Sequence, residues 1–206
     1  MIHTSSFSRR LQQIRQWVGR RLGDTRHEQR VMRIAVRLFD LTAVRHGLDR
    51  AHRRILKLGA LLHDVGRCYG SGKHHTRGAR LVLQATGLPL RPQERRAVAY
   101  LTRYHRRAVP EGDPEGLLGQ DDDLPAIRML LALLRAADTL DSRRLTPPGL
   151  AICLRGRRLR IRCYVRNRWR QAQRAFQRRR KFRLLAQTLA LSVRIQLRRL
   201  TQTTVS

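Results

Sequence analysis

The chain reads as a mainly α-helical fold that closes with a small β-hairpin and a further helix. Two observations predict it. Apolar residues recur at three- and four-residue spacing through most of the first 140 positions, and the spacing drops to two over residues 150–165. A third observation bounds it: 206 residues with 41% hydrophobic content suffice for one domain with a buried core. No apolar run approaches the roughly 18 residues of a membrane span, so the expectation is a soluble, cytoplasmic chain.

Phe7, Leu11, Ile14, Trp17, Val18 and Leu22 fall on one face of a first helix studded with Arg9, Arg10, Arg15, Arg20 and Arg21. This basic amphipathic segment, residues 1–23, packs on the core; lying on a membrane or serving as a transit segment are the alternatives. A second helical pattern runs through Val31, Ile34, Ala35, Leu38, Phe39 and Leu41, and a turn follows at His46-Gly47. Residues 55–63 form another helix, which Gly66 closes as a C-terminal stop. Gly70-Ser71-Gly72-Lys73-His74-His75 is a small polar loop, and helical pattern resumes at 79–83 and at 92–104. Residues 110–123 are a surface loop rich in Gly, Pro and acids, 124–140 a strongly apolar helix, and Thr146-Pro147-Pro148-Gly149 a break. Leu150, Ile152 and Leu154, then Leu159, Ile161, Cys163 and Val165, alternate around Arg155-Gly156-Arg157-Arg158, a hairpin signal. From Trp169 to Leu200 the pattern is helical again and rich in Arg. The chain thus divides into the basic helix 1–23, a helical domain 24–145 and a basic hairpin-plus-helix extension 146–206 of the same domain.

The charge balance is lopsided. Basic residues number 45 against 14 acidic ones, a formal +31, and only Lys57, Lys73 and Lys181 among the basic ones are lysines. Every acid lies between Asp24 and Asp141, so a mixed-charge centre is flanked by two purely basic segments. Such a balance implies affinity for polyanions, with arginine-rich coding bias as the alternative. Aromatics are only 5% of the chain, so nucleic acid is the weaker ligand. Three scattered cysteines, Cys68, Cys153 and Cys163, form neither a disulfide framework nor a CxxC metal knuckle.

His63-Asp64 ends the apolar stretch Leu58-Gly59-Ala60-Leu61-Leu62. Imidazole nitrogen beside carboxylate oxygen suits a divalent metal, and a carboxylate can bridge two ions. A capped helix end with a hydrogen-bonded histidine is the other reading. With His27 upstream and Asp138 inside the apolar run 133–140, the pair forms an ordered set H…HD…D. A carboxylate such as Asp138 in a leucine-rich helix needs a metal or an arginine partner.

This set, in these contexts, resembles the HD-domain metal phosphohydrolases, an all-helical family in which the four positions hold a divalent ion. A closer resemblance extends over nearly the whole chain. Leu38-Phe39-Asp40, Ala60-Leu61-Leu62-His63-Asp64-Val65-Gly66, Arg103-Tyr104-His105-Arg106-Arg107, Leu133-Leu134-Arg135 and Thr146-Pro147-Pro148 are similar to the C-terminal domain of the exopolyphosphatase and guanosine-pentaphosphate phosphatase family. The family's actin-like catalytic domain has no counterpart in these residues. Many relatives degrade the HD motif, whereas this chain keeps it.

The resemblance implies one or two divalent ions (Mn, Fe, Mg or Zn) held by His27, His63, Asp64 and Asp138, with His75 and His105 added for a second ion. His74 competes with His75 for that role; the following Gly78 favours His75. Asp64 would bridge, and Arg67 and Arg106, or Arg107, would stabilise charge on a phosphoryl group. The implied activity is hydrolysis of a phosphate ester or anhydride, polyphosphate or a nucleotide among them. The rival expectation is a module that binds a polyanion (polyphosphate, an alarmone or nucleic acid) beside a separate catalytic partner. Either reading allows a homodimer.

Overall fold

The computed structural model describes residues 3–143, 145, 147–176 and 179–200, so Thr146 of the expected break lies outside the described residues. Seven helices come first: α1 (His3–Leu22), α2 (Arg26–Leu41), the single turn α3 (Ala43–His46), α4 (Arg50–Leu62), α5 (His74–Gln84), α6 (Pro92–Tyr104) and α7 (Leu124–Leu140). A 3-10 turn, Val65–Tyr69, links α4 to α5. Strands β1 (Gly149–Arg155) and β2 (Arg158–Val165), helix α8 (Trp169–Phe176), a 3-10 turn (Arg179–Phe182), helix α9 (Arg183–Thr188) and strand β3 (Ser192–Arg199) complete the order.

Helix starts follow local chemistry. Asp49 accepts a hydrogen bond from the backbone N–H of His52 and so caps α4; Asp123 caps α7 by accepting from the N–H of Ala126. Gly47 takes the left-handed conformation (φ 63°) that ends α3. The middle of the molecule is α4, whose last turns bury Leu56, Leu58, Ala60, Leu61 and Leu62, packed against α1, α2, α6 and α7. Helix α7 is apolar nearly all round, with Leu130 to Leu134, Ala136, Ala137 and Leu140 buried, as an interior helix must be. Helix α1 lays Ile14, Trp17 and Val18 into the core against α4 and the 3-10 turn, so its apolar face is occupied by the protein itself. Among the described residues no helix is long and apolar enough to cross a membrane.

Three local expectations need correction. Residues 169–200 are not one helical run: Val193, Ile195 and Leu197 alternate with Arg194, Gln196 and Arg198, and this period of two forms β3. β3 lies parallel to β2, which pairs antiparallel with β1, and α8 and α9 supply the crossover that a parallel pair requires. His74 and His75 belong not to a loop but to the first turn of α5. And Gly66 is no helix stop: it sits within the 3-10 turn, where it allows close approach. A Cβ there would overlap the carbonyl oxygen of His74 and the backbone of Gly78. Gly78 is equally confined, since its own Cβ would stand 2.9 Å from Thr102 Cγ2 and 3.1 Å from Gly66 N. The turn after His63-Asp64 is thereby pressed against the start of α5 and, through it, α6.

Gly66→Ala should therefore destabilise the fold by about 3 kcal/mol, the upper range for overpacking against backbone that cannot yield. Gly87→Ala, with nothing within 4 Å of its Cβ, is the matched control. Urea unfolding would read both; equal midpoints for the two variants would disprove the tight contact.

Candidate metal centre

Three helix ends and two helix starts converge on a single buried point. His27 comes from the first turn of α2, His63 caps the C-terminus of α4 with Asp64 next to it, His74 opens α5, His105 caps the C-terminus of α6, and Asp138 lies in the last turn of α7. Each imidazole is anchored through Nδ1. His63 Nδ1 donates to the carbonyl of Ala60 (2.8 Å), His74 to that of Ser71 (2.7 Å) and His105 to that of Thr102 (2.7 Å). His27 Nδ1 donates to Asp141 Oδ2 (2.7 Å), whose other oxygen accepts from Arg30 Nε (2.7 Å). A carbonyl can only accept, so the proton of each neutral ring sits on Nδ1 and the Nε2 lone pair is left for an inward partner.

Those inward atoms have no hydrogen bond. Nε2 of His27, His63, His74 and His105, together with Asp64 Oδ1, are buried and unpartnered among the described residues. Leaving such atoms unsatisfied costs about 1–3 kcal/mol each, which five of them would multiply. They fall into two sets. His27 Nε2 and His63 Nε2 stand 3.3 and 3.6 Å from Asp138 Oδ1; His74 Nε2 and His105 Nε2 stand 3.1 and 3.4 Å from Asp64 Oδ1. Asp64 Oδ2 faces the first set, 4.0 Å from the Nε2 of both His27 and His63. Ligands held about 2.1 Å from one ion stand about 3 Å apart, so both sets have the spacing of cation sites, with Asp64 turned between them.

The electrostatics match. Burial alone would raise the Asp64 carboxyl, but His63 beside it and contacts from His105 and His74 hold it far below the usual range. Burial would likewise lower His63, yet the carboxylates of Asp64 and Asp138 pull it up to about 9. The point where these groups meet thus attracts positive charge strongly enough to overcome desolvation.

His75 does not join them. It lies outside both sets, and burial, then the nearby Arg103 and His105, push its pKa down to about 4. Helical geometry explains the difference: His74 and Gly78 are four residues apart and share the face of α5 pressed on the HD turn, whereas His75 is rotated about 100° away. Arg67 and Arg106 stand at the rim, 3.8 Å from Asp64 Oδ2 and from Asp138 Oδ2. Arg107 takes a left-handed backbone (φ 72°) and its carbonyl accepts from Arg135. The sequence gives little sign of three further groups. Fully buried Glu28 bonds Arg143, which also donates through Nε to Asp64 Oδ2 (3.0 Å), and Asp141 orients His27. Glu28 and Asp141 do neighbour motif residues, at one and three positions; Arg143 carries no signal. The centre opens into a cleft of about 780 Å³ whose walls include Arg67, Arg106, Arg143, Arg168 and Lys181.

A family model described as Ppx/GppA phosphatase, domain III, matches residues 20–173 of this chain. The chain belongs to that family. The match takes in every candidate ligand and the first two strands. The bifunctional uridylyltransferase/uridylyl-removing enzymes of two Mycobacterium tuberculosis strains, CDC 1551 / Oshkosh and ATCC 25618 / H37Rv, are each similar at 35% identity over 105 residues. That match covers 47% of this domain III chain and 12% of each relative, so the chain spans a small part of their length.

Arg143 neutralises a carboxylate that has no solvent of its own. Arg143→Ala should destabilise the metal-free protein by about 3 kcal/mol, as removal of one partner from a buried ion pair does. Adding Glu28→Gln should recover part of the loss. A single variant as stable as the parent in chemical denaturation would show that the pair holds nothing.

Proposed function

We propose that this Ppx/GppA domain III chain is an HD-type, metal-dependent phosphohydrolase acting on a phosphate ester or anhydride, such as polyphosphate or a nucleotide. One observation carries the reading: four imidazole Nε2 atoms and a carboxylate oxygen, buried and unpartnered, with every ring fixed from behind through Nδ1. His27, His63 and Asp138 would hold one divalent ion and His74, His105 and Asp64 a second, with Asp64 bridging. His74 takes the part that His75 was expected to play.

A divalent ion in such a place acidifies a bound water and polarises a phosphoryl oxygen. The chain's own groups do the rest. Backbone carbonyls and Asp141 hold the ring protons on Nδ1 and aim each Nε2 inward. Arg67 and Arg106, at the mouth, offer forked donors to the non-bridging oxygens of a phosphoryl group and stabilise negative charge that builds there. Arg143 holds Asp64 in place from Glu28. Further cations on the cleft wall, Arg168 and Lys181, suit a substrate with more than one phosphate. The name of the mycobacterial relatives puts a uridylyl ester among the compounds to assay.

Metal analysis of the purified protein should find up to two ions per chain. His74→Ala should lose one of them and His75→Ala none. A screen over polyphosphate, nucleotides and uridylyl esters should find turnover that Asp64→Asn lowers by more than the roughly hundredfold that removing a ligand's hydrogen-bond partner can cost. Metal present with polyanion binding but no turnover would sink the enzyme reading and leave a binding module. Metal absent after loading with Mn, Fe, Mg or Zn would sink both.

A further inference from the structure

The three-stranded sheet has two unlike faces. Leu159, Ile161, Cys163 and Val165 of β2, with Ile152 of β1 and Leu197 of β3, point into the core. The register puts Arg155 of β1, Arg158, Arg160, Arg162 and Tyr164 of β2, and Arg194, Gln196 and Arg198 of β3 on the opposite face. Five of those six arginines are exposed, Arg160 is half-buried, and none of their side chains makes a hydrogen bond or ion pair among the described residues. No carboxylate follows Asp141 in the chain to neutralise them.

This arrangement is unfavourable by itself. Arg155 is paired directly with Arg158, and Arg160 with Arg194, and like charges opposite one another destabilise a sheet. Along β2 the arginines repeat about every 6.6 Å and neighbouring strands are about 4.8 Å apart, so the cations form a flat lattice rather than a narrow channel. A flat cationic lattice complements a chain of phosphates. Two features favour a nucleic acid over a bare phosphate polymer. The cations are all arginine, whose planar weakly hydrated head stacks on rings as well as forking onto phosphate. And Tyr164, half-exposed, stands in the same face with Arg162 two residues before it and Arg198 across the strand pair, offering a ring on which a base can stack.

We propose that this sheet face binds single-stranded nucleic acid with little sequence preference. The site is separate from the candidate metal centre, and its test does not depend on that reading.

The test uses the full chain and a fluorescent twenty-residue oligo-dT, titrated at several salt concentrations. The parent should bind, and Arg160→Gln/Arg162→Gln/Arg194→Gln should bind at least tenfold more weakly, with a salt slope shallower by about 2. Its melting temperature should not fall, since repulsion has been relieved. A control triple variant in α1, Arg9→Gln/Arg15→Gln/Arg20→Gln, removes the same charge from exposed positions and should change affinity less than threefold. Tyr164→Ala should weaken oligo-dT at least fivefold and leave inorganic polyphosphate binding unchanged, while Tyr164→Phe should bind like the parent. No binding by the parent, or equal losses in the two triple variants, would overturn the proposal. So would a Tyr164→Ala variant that treats oligo-dT and polyphosphate alike, which would make the face a charge-only polyanion surface.

Discussion

The hydrogen bond from histidine Nδ1 to a carbonyl three residues back is the interaction on which the centre of the molecule depends. At the ends of α4 and α6 the last carbonyls of the helix have no intrahelical donor. His63 and His105, still in helical conformation, supply one by folding back onto Ala60 and Thr102. The same bond finishes the helix, places the ring proton and points Nε2 inward. A capped helix end and an inward-facing Nε2 are therefore not competing explanations for the His63-Asp64 pair, because one hydrogen bond produces both.

That interaction needs the helices brought close, and two glycines permit it. Gly66 in the turn after Asp64 and Gly78 in α5 touch through backbone, so the first turn of α5 is pressed against the HD turn and His74 arrives beside Asp64. Thr102, under Gly78, gives its carbonyl to His105. One contact thus sets the relative positions of three histidine-bearing segments. The separation of the inward atoms follows from this backbone packing.

These physical levels decided what the sequence could reveal. Helices α6 and α7 and the β1–β2 hairpin were legible to the residue or nearly so, because a period of 3.6 or 2 with Pro, Asp or Gly at the boundary leaves few alternatives. His63, Asp64 and Asp138 stood out because a polar residue in an apolar run needs a partner, whereas His27 was found by its order ahead of them and His105 only by the family resemblance; the fold brings all five together. His74 was not, since choosing between adjacent histidines requires knowing which face of α5 meets the turn. β3 was obscured by the arginines around it: Val193, Ile195 and Leu197 carry a period of two that a reading for helical, basic character passes over. Arg143 and Glu28 meet from distant parts of the chain, and no local pattern encodes such a pair.

Arginine extends the helix-end logic to the rest of the helical part. Arg95 donates to the carbonyls of Val82, Ala85 and Leu88, finishing α5, and Arg135 donates to those of Tyr104 and Arg107, finishing α6 next to His105. A guanidinium can do this where an ammonium would not, because its donors are fixed in a plane and can meet several carbonyls at once. Others in this part, Arg10, Arg30, Arg53, Arg96 and Arg103, meet carboxylates. The exposed pairs among them contribute little to stability, but they neutralise charge locally. The excess of +31 is consequently not spread evenly. Within residues 24–141 many arginines are answered by carboxylates or helix-end carbonyls. No acidic side chain follows Asp141 in the sequence, although Arg143 reaches back to Glu28 and Asp64, so the positive field of the molecule issues chiefly from the basic terminal segments.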